Sequence, residues 1–345
     1  MAQDDLLMPV PLPPLAQEGL AKSFNLIRLW EEPNPEATLA AVAPGLRFIA
    51  TGVPILTEGL SHPISAAFLA RFPRLELVAN LGVGYDNIDI AACAARGVVV
   101  TNTPDVLTEE TADTAFGLLL CVIRQFPQAD RYLRAGQWLK TAFPLTASLR
   151  GRTMGIVGLG RIGRAIARRG EAFGLKIAYH GRKAQADAPW PFYERLDDMA
   201  RACDILMVST PGGPATRNLI DASILDALGP RGVLINIARG SVVDEPALIA
   251  ALRERRILSA GLDVFAGEPE VPAELIAMDH VVLLPHVGSA SHATRDAMSA
   301  LVVDNAVSFA AGRGPLTPVA ETPWPLHAKA AHSEKCQMID LRRWL

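Results

Sequence analysis

Cysteine is scarce in this chain. The four residues, Cys93, Cys121, Cys203 and Cys336, lie far apart with no C-x-x-C pair, which argues against a disulfide framework or a zinc cluster. Free thiols in a reducing cytoplasm are the expected state. His62, His180, His280, His292, His327 and His332 share no ligand spacing, so no metal site is expected. A basic excess is missing too: 33 Lys+Arg against 36 Asp+Glu leave a net charge of -3, and nucleic acid is not an expected partner. Long apolar runs are absent. The longest uncharged one, Ala115 to Ile123, is well short of the roughly 20 residues that cross a bilayer. Asp4, Asp5 and the prolines at 9, 11, 13 and 14 do not suit a signal peptide, so neither membrane nor export is expected.

The chain does have apolar material and length. Hydrophobic residues make up 50% of 345, mean hydropathy is +0.22, and roughly 150 residues per domain predicts two domains. Residues 1–20 are Pro-rich and expected to be loosely ordered. Beyond them short apolar runs alternate with helix-like segments: strands over 24–29, 46–51, 75–80 and 98–101, and a helix over 35–42. This alternation predicts a parallel sheet with crossover helices. A buried helix follows over 109–123, with Thr108 as its N-cap. A second series supplies six strands, at 153–157, 176–180, 205–210, 233–237, 259–264 and 281–284, the number in a full doubly wound dinucleotide fold. A long helix over 292–311 then returns the chain toward the first series. The segment from 321 to 345 shows no pattern.

Gly158, Leu159, Gly160, Arg161, Ile162 and Gly163 fit G-x-G-x-x-G, with a strand before and a helical pattern over 164–173 behind. In that context Gly158 allows the tight turn, Gly160 lets backbone N–H groups approach a pyrophosphate, and Gly163 permits close helix–strand packing.

With its flanking residues from Gly151, this block resembles the D-isomer-specific 2-hydroxyacid dehydrogenases, especially the glyoxylate/hydroxypyruvate reductases. Four further blocks carry the resemblance: Leu81 to Asp86; Asn236 to Gly240 with Val243 to Glu245; Gly261 to Phe265 with Glu268 and Pro269; and Pro285 to Ser289. Their order matches the family over about residues 25–318. The resemblance implies an α/β architecture of two doubly wound parallel-sheet domains, with a Rossmann dinucleotide-binding domain at 104–289 inserted into a flavodoxin-like substrate domain at 1–103 and 290–320. It also implies a homodimer, to which the apolar 109–123 helix and the loop from Trp138 to Thr146 could contribute.

Reducing a 2-oxo acid needs a cation for the carboxylate, a proton for the carbonyl oxygen and a hydride over the carbonyl carbon. Arg239, just past the strand ending at Ile237, offers a planar fork for the carboxylate. His286 follows another strand end and is the expected general acid, with Glu268 raising its pKa by opposite charge. For His286 the matching block, not its spacing, carries the assignment. The family's equivalent loop implies that Val83 and Gly84 present backbone N–H groups to the substrate, with Arg239 and His286 completing that site. The resemblance further assigns Thr108, Thr210, Pro211, Ile237, Ala238, Asp263 and Gly288 to the cofactor, although Thr108 could be a helix cap alone.

Cofactor choice is legible in the residues themselves. NAD-binding folds place an acid about 20 residues after the first glycine, for the ribose 2′-OH. Here His180 is followed by Gly181, Arg182 and Lys183, and no Asp or Glu occurs between Glu171 and Asp187. Two cations at that place predict a preference for NADP(H), with NAD(H) possible. The expected function is NAD(P)H-dependent reduction of a small 2-oxo acid such as glyoxylate, hydroxypyruvate or phenylpyruvate. A phosphoglycerate dehydrogenase-like enzyme and a dinucleotide-sensing scaffold are the alternatives.

Overall fold

The computed structural model describes residues 3–52 and 64–325. Of these, the residues up to Leu107 and from Ser291 onward form one compact unit, and Thr108–Ala290 form a second.

The first unit opens with β1 (Asp4–Met8), α1 (Pro14–Ala21), β2 (Phe24–Arg28), α2 (Pro35–Val42) and β3 (Phe48–Gly52). It continues through α3 (Ala66–Ala70), β4 (Leu77–Leu81), α4 (Ile90–Ala95) and β5 (Val99–Thr101). All its strand pairs are parallel, in the order β2-β1-β3-β4-β5, which is the flavodoxin-like arrangement. β3 and β4 are buried along their whole length, as parallel strands covered on both faces must be. Leu7, Ile49, Val78 and Val100 share one core cluster.

The loose ordering expected for residues 1–20 is overturned in the described part of that segment. Leu6, Leu7 and Met8 are fully buried, and Leu6 pairs with Leu26 on one side and Phe48 on the other. The prolines fall where their fixed φ is useful: Pro13 precedes α1 and Pro14 opens it, where a missing N–H costs nothing. Proline content signalled a tight strand-to-helix turn, not disorder.

The second unit runs α5 (Thr108–Arg124), α6 (Phe126–Arg134), β6 (Thr153–Val157), α7 (Arg161–Ala172), β7 (Lys176–His180), β8 (Phe192–Tyr193) and α8 (Leu196–Ala202). Then come β9 (Ile205–Val208), α9 (Ala222–Leu228), β10 (Val233–Asn236), α10 (Glu245–Arg253), β11 (Ser259–Leu262), α11 (Ala273–Ala277) and β12 (Val282–Leu283). Its parallel sheet has the order β12-β11-β10-β9-β6-β7-β8, so the chain reverses direction between β6 and β9, at the switch point where open α/β sheets bind ligands. β8 makes seven strands where the sequence predicts six, because two residues are too few to show a period. α5 takes in Thr108 as its first residue, one position earlier than the capping pattern suggests. It lies tight on β11 because Gly261 has no Cβ, which would meet Leu118 Cγ at 2.7 Å.

α12 (His292–Ala310) belongs to the first unit, starts at an N-cap where Ser291 accepts from Thr294 N–H, and packs on α1 and β4. Most of the patternless segment after 320 lies outside the described residues. Its first part does not hang free: Thr322 is buried, accepts from Val100 N–H through its hydroxyl, and Trp324 meets the Phe309 ring edge-on.

Candidate active site

The carboxyl edge of the second unit's sheet carries nearly every residue that the sequence singles out there. β6 runs into Gly158, whose φ of +97° suits glycine and whose added Cβ would lie 2.8 Å from Thr210 Cα, so the turn closes against the loop after β9. Gly163, in the first turn of α7, would place a Cβ 2.3 Å from the Gly158 carbonyl oxygen. Gly160 differs from both, since nothing lies within 4 Å of its missing Cβ. That open space is at the N-cap of α7, which has no side-chain cap and no acid in its first turn. A helix N-terminus beside free space fits the diphosphate of a dinucleotide.

Beyond β7, His180 Nδ1 lies 3.0 Å from the Tyr193 carbonyl oxygen, so that nitrogen carries a proton. Arg182 and Lys183 are exposed, with no hydrogen bond or ion pair among the described residues. Asp187, the next acid, accepts from Arg164 at 2.7 Å. Gln185 straps this loop down: its side-chain amide donates to Leu159 O and its backbone N–H donates to the Tyr179 hydroxyl, both at 2.8 Å.

Arg239 follows β10, and its backbone is set by buried Asn236, which accepts from Ala238 N–H and donates to Arg239 O, each at 3.0 Å. Two glycines make room around it. A Cβ on Gly212 would lie 2.9 Å from Arg239 Cγ, and one on Gly240 would lie 1.9 Å from the Phe265 carbonyl carbon.

His286, past β12, has φ of +53°, a left-handed conformation that costs a β-carbon residue about 1–2 kcal/mol. Asp263 holds it there. Buried at the end of β11, its two carboxylate oxygens accept from Val287 N–H at 2.7 Å and Gly288 N–H at 2.8 Å. Burial pushes the Asp263 carboxyl up, against the pull of those N–H groups and the His286 charge.

His286 Nδ1 lies 2.7 Å from Glu268 Oε2, while Glu268 Oε1 accepts from Phe265 N–H at 2.8 Å. Burial alone would raise the Glu268 carboxyl, but the His286 hydrogen bond and charge, the Phe265 N–H and the Arg239 charge outweigh it and hold the group below its ordinary value. An ionised carboxylate only accepts, so Nδ1 carries the proton and Nε2 is the ring nitrogen left for chemistry. The edge therefore offers a dinucleotide cradle, a carboxylate-backed imidazole and a guanidinium.

The family profile described as D-isomer specific 2-hydroxyacid dehydrogenase, NAD binding domain, matches residues 116–288. The glyoxylate/hydroxypyruvate reductase A of Arabidopsis thaliana is 44% identical over 91% of this chain and 98% of its own length. The chain belongs to the D-isomer specific 2-hydroxyacid dehydrogenases. The hydroxyphenylpyruvate reductase of Plectranthus scutellarioides is 43% identical over the same shares of each chain. Among solved structures, the NADPH-dependent glyoxylate/hydroxypyruvate reductase of Sinorhizobium meliloti in complex with NADP and malonate superposes with a TM-score of 0.85, at 47% identity, over 93% of this chain and 98% of that one.

As a member of that family the protein is an oxidoreductase with a nicotinamide-dinucleotide-binding domain. The remaining residues that the resemblance assigns to the cofactor lie on the same edge: Thr210 and Pro211 after β9, Ile237 and Ala238 buried after β10, and Gly288, whose Cβ would lie 2.9 Å from Asp263 Oδ2. Thr108 opens α5. Val83 and Gly84 belong to the first unit, partly exposed in the turn after β4. Sequence reasoning missed Asn236, Gly212, Gln185 and Ser209, whose hydroxyl donates to Gly158 O at 2.7 Å. Asn236 stands inside a motif block and could have been found; the others act through contacts between distant segments. Among the described residues no His, Cys, Asp and Glu cluster could hold a metal ion, and no helix is long and apolar enough to cross a membrane.

Proposed function

We propose that this dehydrogenase reduces a small 2-oxo acid, glyoxylate or hydroxypyruvate foremost, to the 2-hydroxy acid with NADPH. The observation that carries the reading is the 2.7 Å contact between His286 and an ionised Glu268 on the dinucleotide-binding edge. Bound NADPH supplies the hydride. Arg239 holds the substrate carboxylate through its fork and polarises the adjacent carbonyl. His286 hands the proton at Nε2 to the developing alkoxide, and Glu268, accepting from Nδ1–H, keeps the ring oriented. The preference for NADPH rests on exposed Arg182 and Lys183, on Asp187 being engaged by Arg164, and on the NADPH dependence of the Sinorhizobium relative.

Free Cys93, Cys121 and Cys203 suit a reducing cytoplasm. The apolar residues of α5 expected to pack between subunits are instead buried in the core of their own unit, so a homodimer is supported by apolar side chains left open along α6 and the loop after it, where Trp138 is 67% and Leu139 92% exposed, with Phe126, Leu133 and Leu145 also exposed. The deciding experiment for the chemistry is His286→Ala, which should lower kcat by about 10²- to 10⁴-fold while NADPH still binds. An unchanged kcat would remove His286 from the mechanism, and a wild-type protein that binds NADPH but turns over no 2-oxo acid would make it a dinucleotide sensor instead.

A further inference from the structure

The turn after β4 is held by side chains whose role the sequence does not announce. Asn80, fully buried, donates from Nδ2 to Gly84 O at 3.0 Å and to Gly82 O at 3.3 Å. Gly82 O also accepts from Thr103 N–H at 3.0 Å, and Gly82 N–H donates to the Thr103 hydroxyl at 3.1 Å. Asn102 Nδ2 donates to Val83 O at 2.9 Å. All three successive carbonyls, at 82, 83 and 84, are thereby drawn toward two asparagines.

Peptide geometry turns this into a statement about donors. The bonds joining 82 to 85 are trans, and a trans peptide points its N–H opposite to its C=O. Fixing Gly82 O inward aims Val83 N–H away from the asparagines; fixing Val83 O does so for Gly84 N–H, and fixing Gly84 O for Tyr85 N–H. None of these three N–H groups has an acceptor among the described residues, and all three residues are partly exposed. Consecutive unpaired N–H groups on an open turn are suited to an anion such as a carboxylate.

We infer that Asn80 is a positioning residue for the substrate carboxylate: it touches no substrate, but holds the Gly82 and Gly84 carbonyls inward, as Asn102 holds that of Val83, so that the turn offers its Val83, Gly84 and Tyr85 N–H groups outward. The inference rests on the reading of the protein as a 2-oxo acid reductase. Among the described residues Asn80 alone donates to the Gly84 carbonyl, so its loss frees the Tyr85 peptide first, while Thr103 still restrains the Val83 peptide.

The test is titration of oxalate, a dicarboxylate analogue of the substrate, into protein carrying ¹⁵N-labelled valine, glycine and tyrosine and saturated with NADP⁺. In the wild type the Val83, Gly84 and Tyr85 amide resonances should move with oxalate. In Asn80→Ala and Asn80→Asp the oxalate Kd and the KM for glyoxylate should rise roughly 10- to 100-fold, as lost buried hydrogen bonds do. Asn80→Ser, with one donor retained, should fall between and serves if the other variants do not fold. The Kd for NADPH should stay unchanged and kcat should move less than about threefold, a split that general loss of structure would not give. Folded Asn80 variants with wild-type oxalate Kd and KM would overturn the inference while leaving the function standing. Wild-type amides at 83–85 that ignore oxalate, while oxalate still inhibits, would overturn the carboxylate site itself.

Discussion

The Glu268 carboxylate is where a single residue's charge links stability to the proposed chemistry. Its folded-state pKa is depressed by His286, Phe265 N–H and Arg239 against the upward push of burial. A depressed acid contributes stability that is present above its ordinary value near 4.5 and is lost as pH falls through the folded value. Glu268→Gln should therefore lower the thermal midpoint at about pH 6, and the gap to wild type should close as pH is taken toward about 3. A gap that stays constant across that range in paired melting curves would detach the pair from stability. Arg239, Glu268 and His286 were legible because each stands in a motif block at a strand's end. Asp263 was legible only by position: the sequence assigned it to the cofactor, and nothing local reveals that it carries the His286 turn through two backbone N–H groups some two dozen residues on.

At the scale of elements, the dinucleotide cradle depends on how closely α7 approaches β6, and Gly163 sets that distance. Gly163→Ala would drive a Cβ to 2.3 Å from Gly158 O, so helix or loop must move, a strain of about 1–3 kcal/mol. The variant should melt lower and bind NADPH about tenfold or more weakly, read by quenching of protein fluorescence. Wild-type affinity would show the loop tolerates the shift. Buried parallel strands such as β3, β4 and β9 were readable as continuous apolar runs, because both faces are covered. β1 was not, since a five-residue strand ahead of four prolines looks locally like a disordered end and only pairing with β2 and β3 identifies it. β8 escaped for the same reason, two residues recruited by an existing edge at β7.

For the whole molecule, the open apolar surface of α6 and the loop behind it predicts association of two copies. Light scattering at assay concentrations should return about twice the 36.9 kDa chain mass, and a monomer would refute the dimer. Whether the protein is a 2-oxo acid reductase that selects NADPH is decided by kcat/KM for NADPH and NADH with glyoxylate and with hydroxypyruvate, using wild type and Arg182→Ala side by side. Turnover of at least one of these acids is expected, with a clear wild-type preference for NADPH and a collapse of that preference in Arg182→Ala through the NADPH value alone. Equal or better use of NADH by the wild type, or no turnover of either acid with either cofactor, would contradict it.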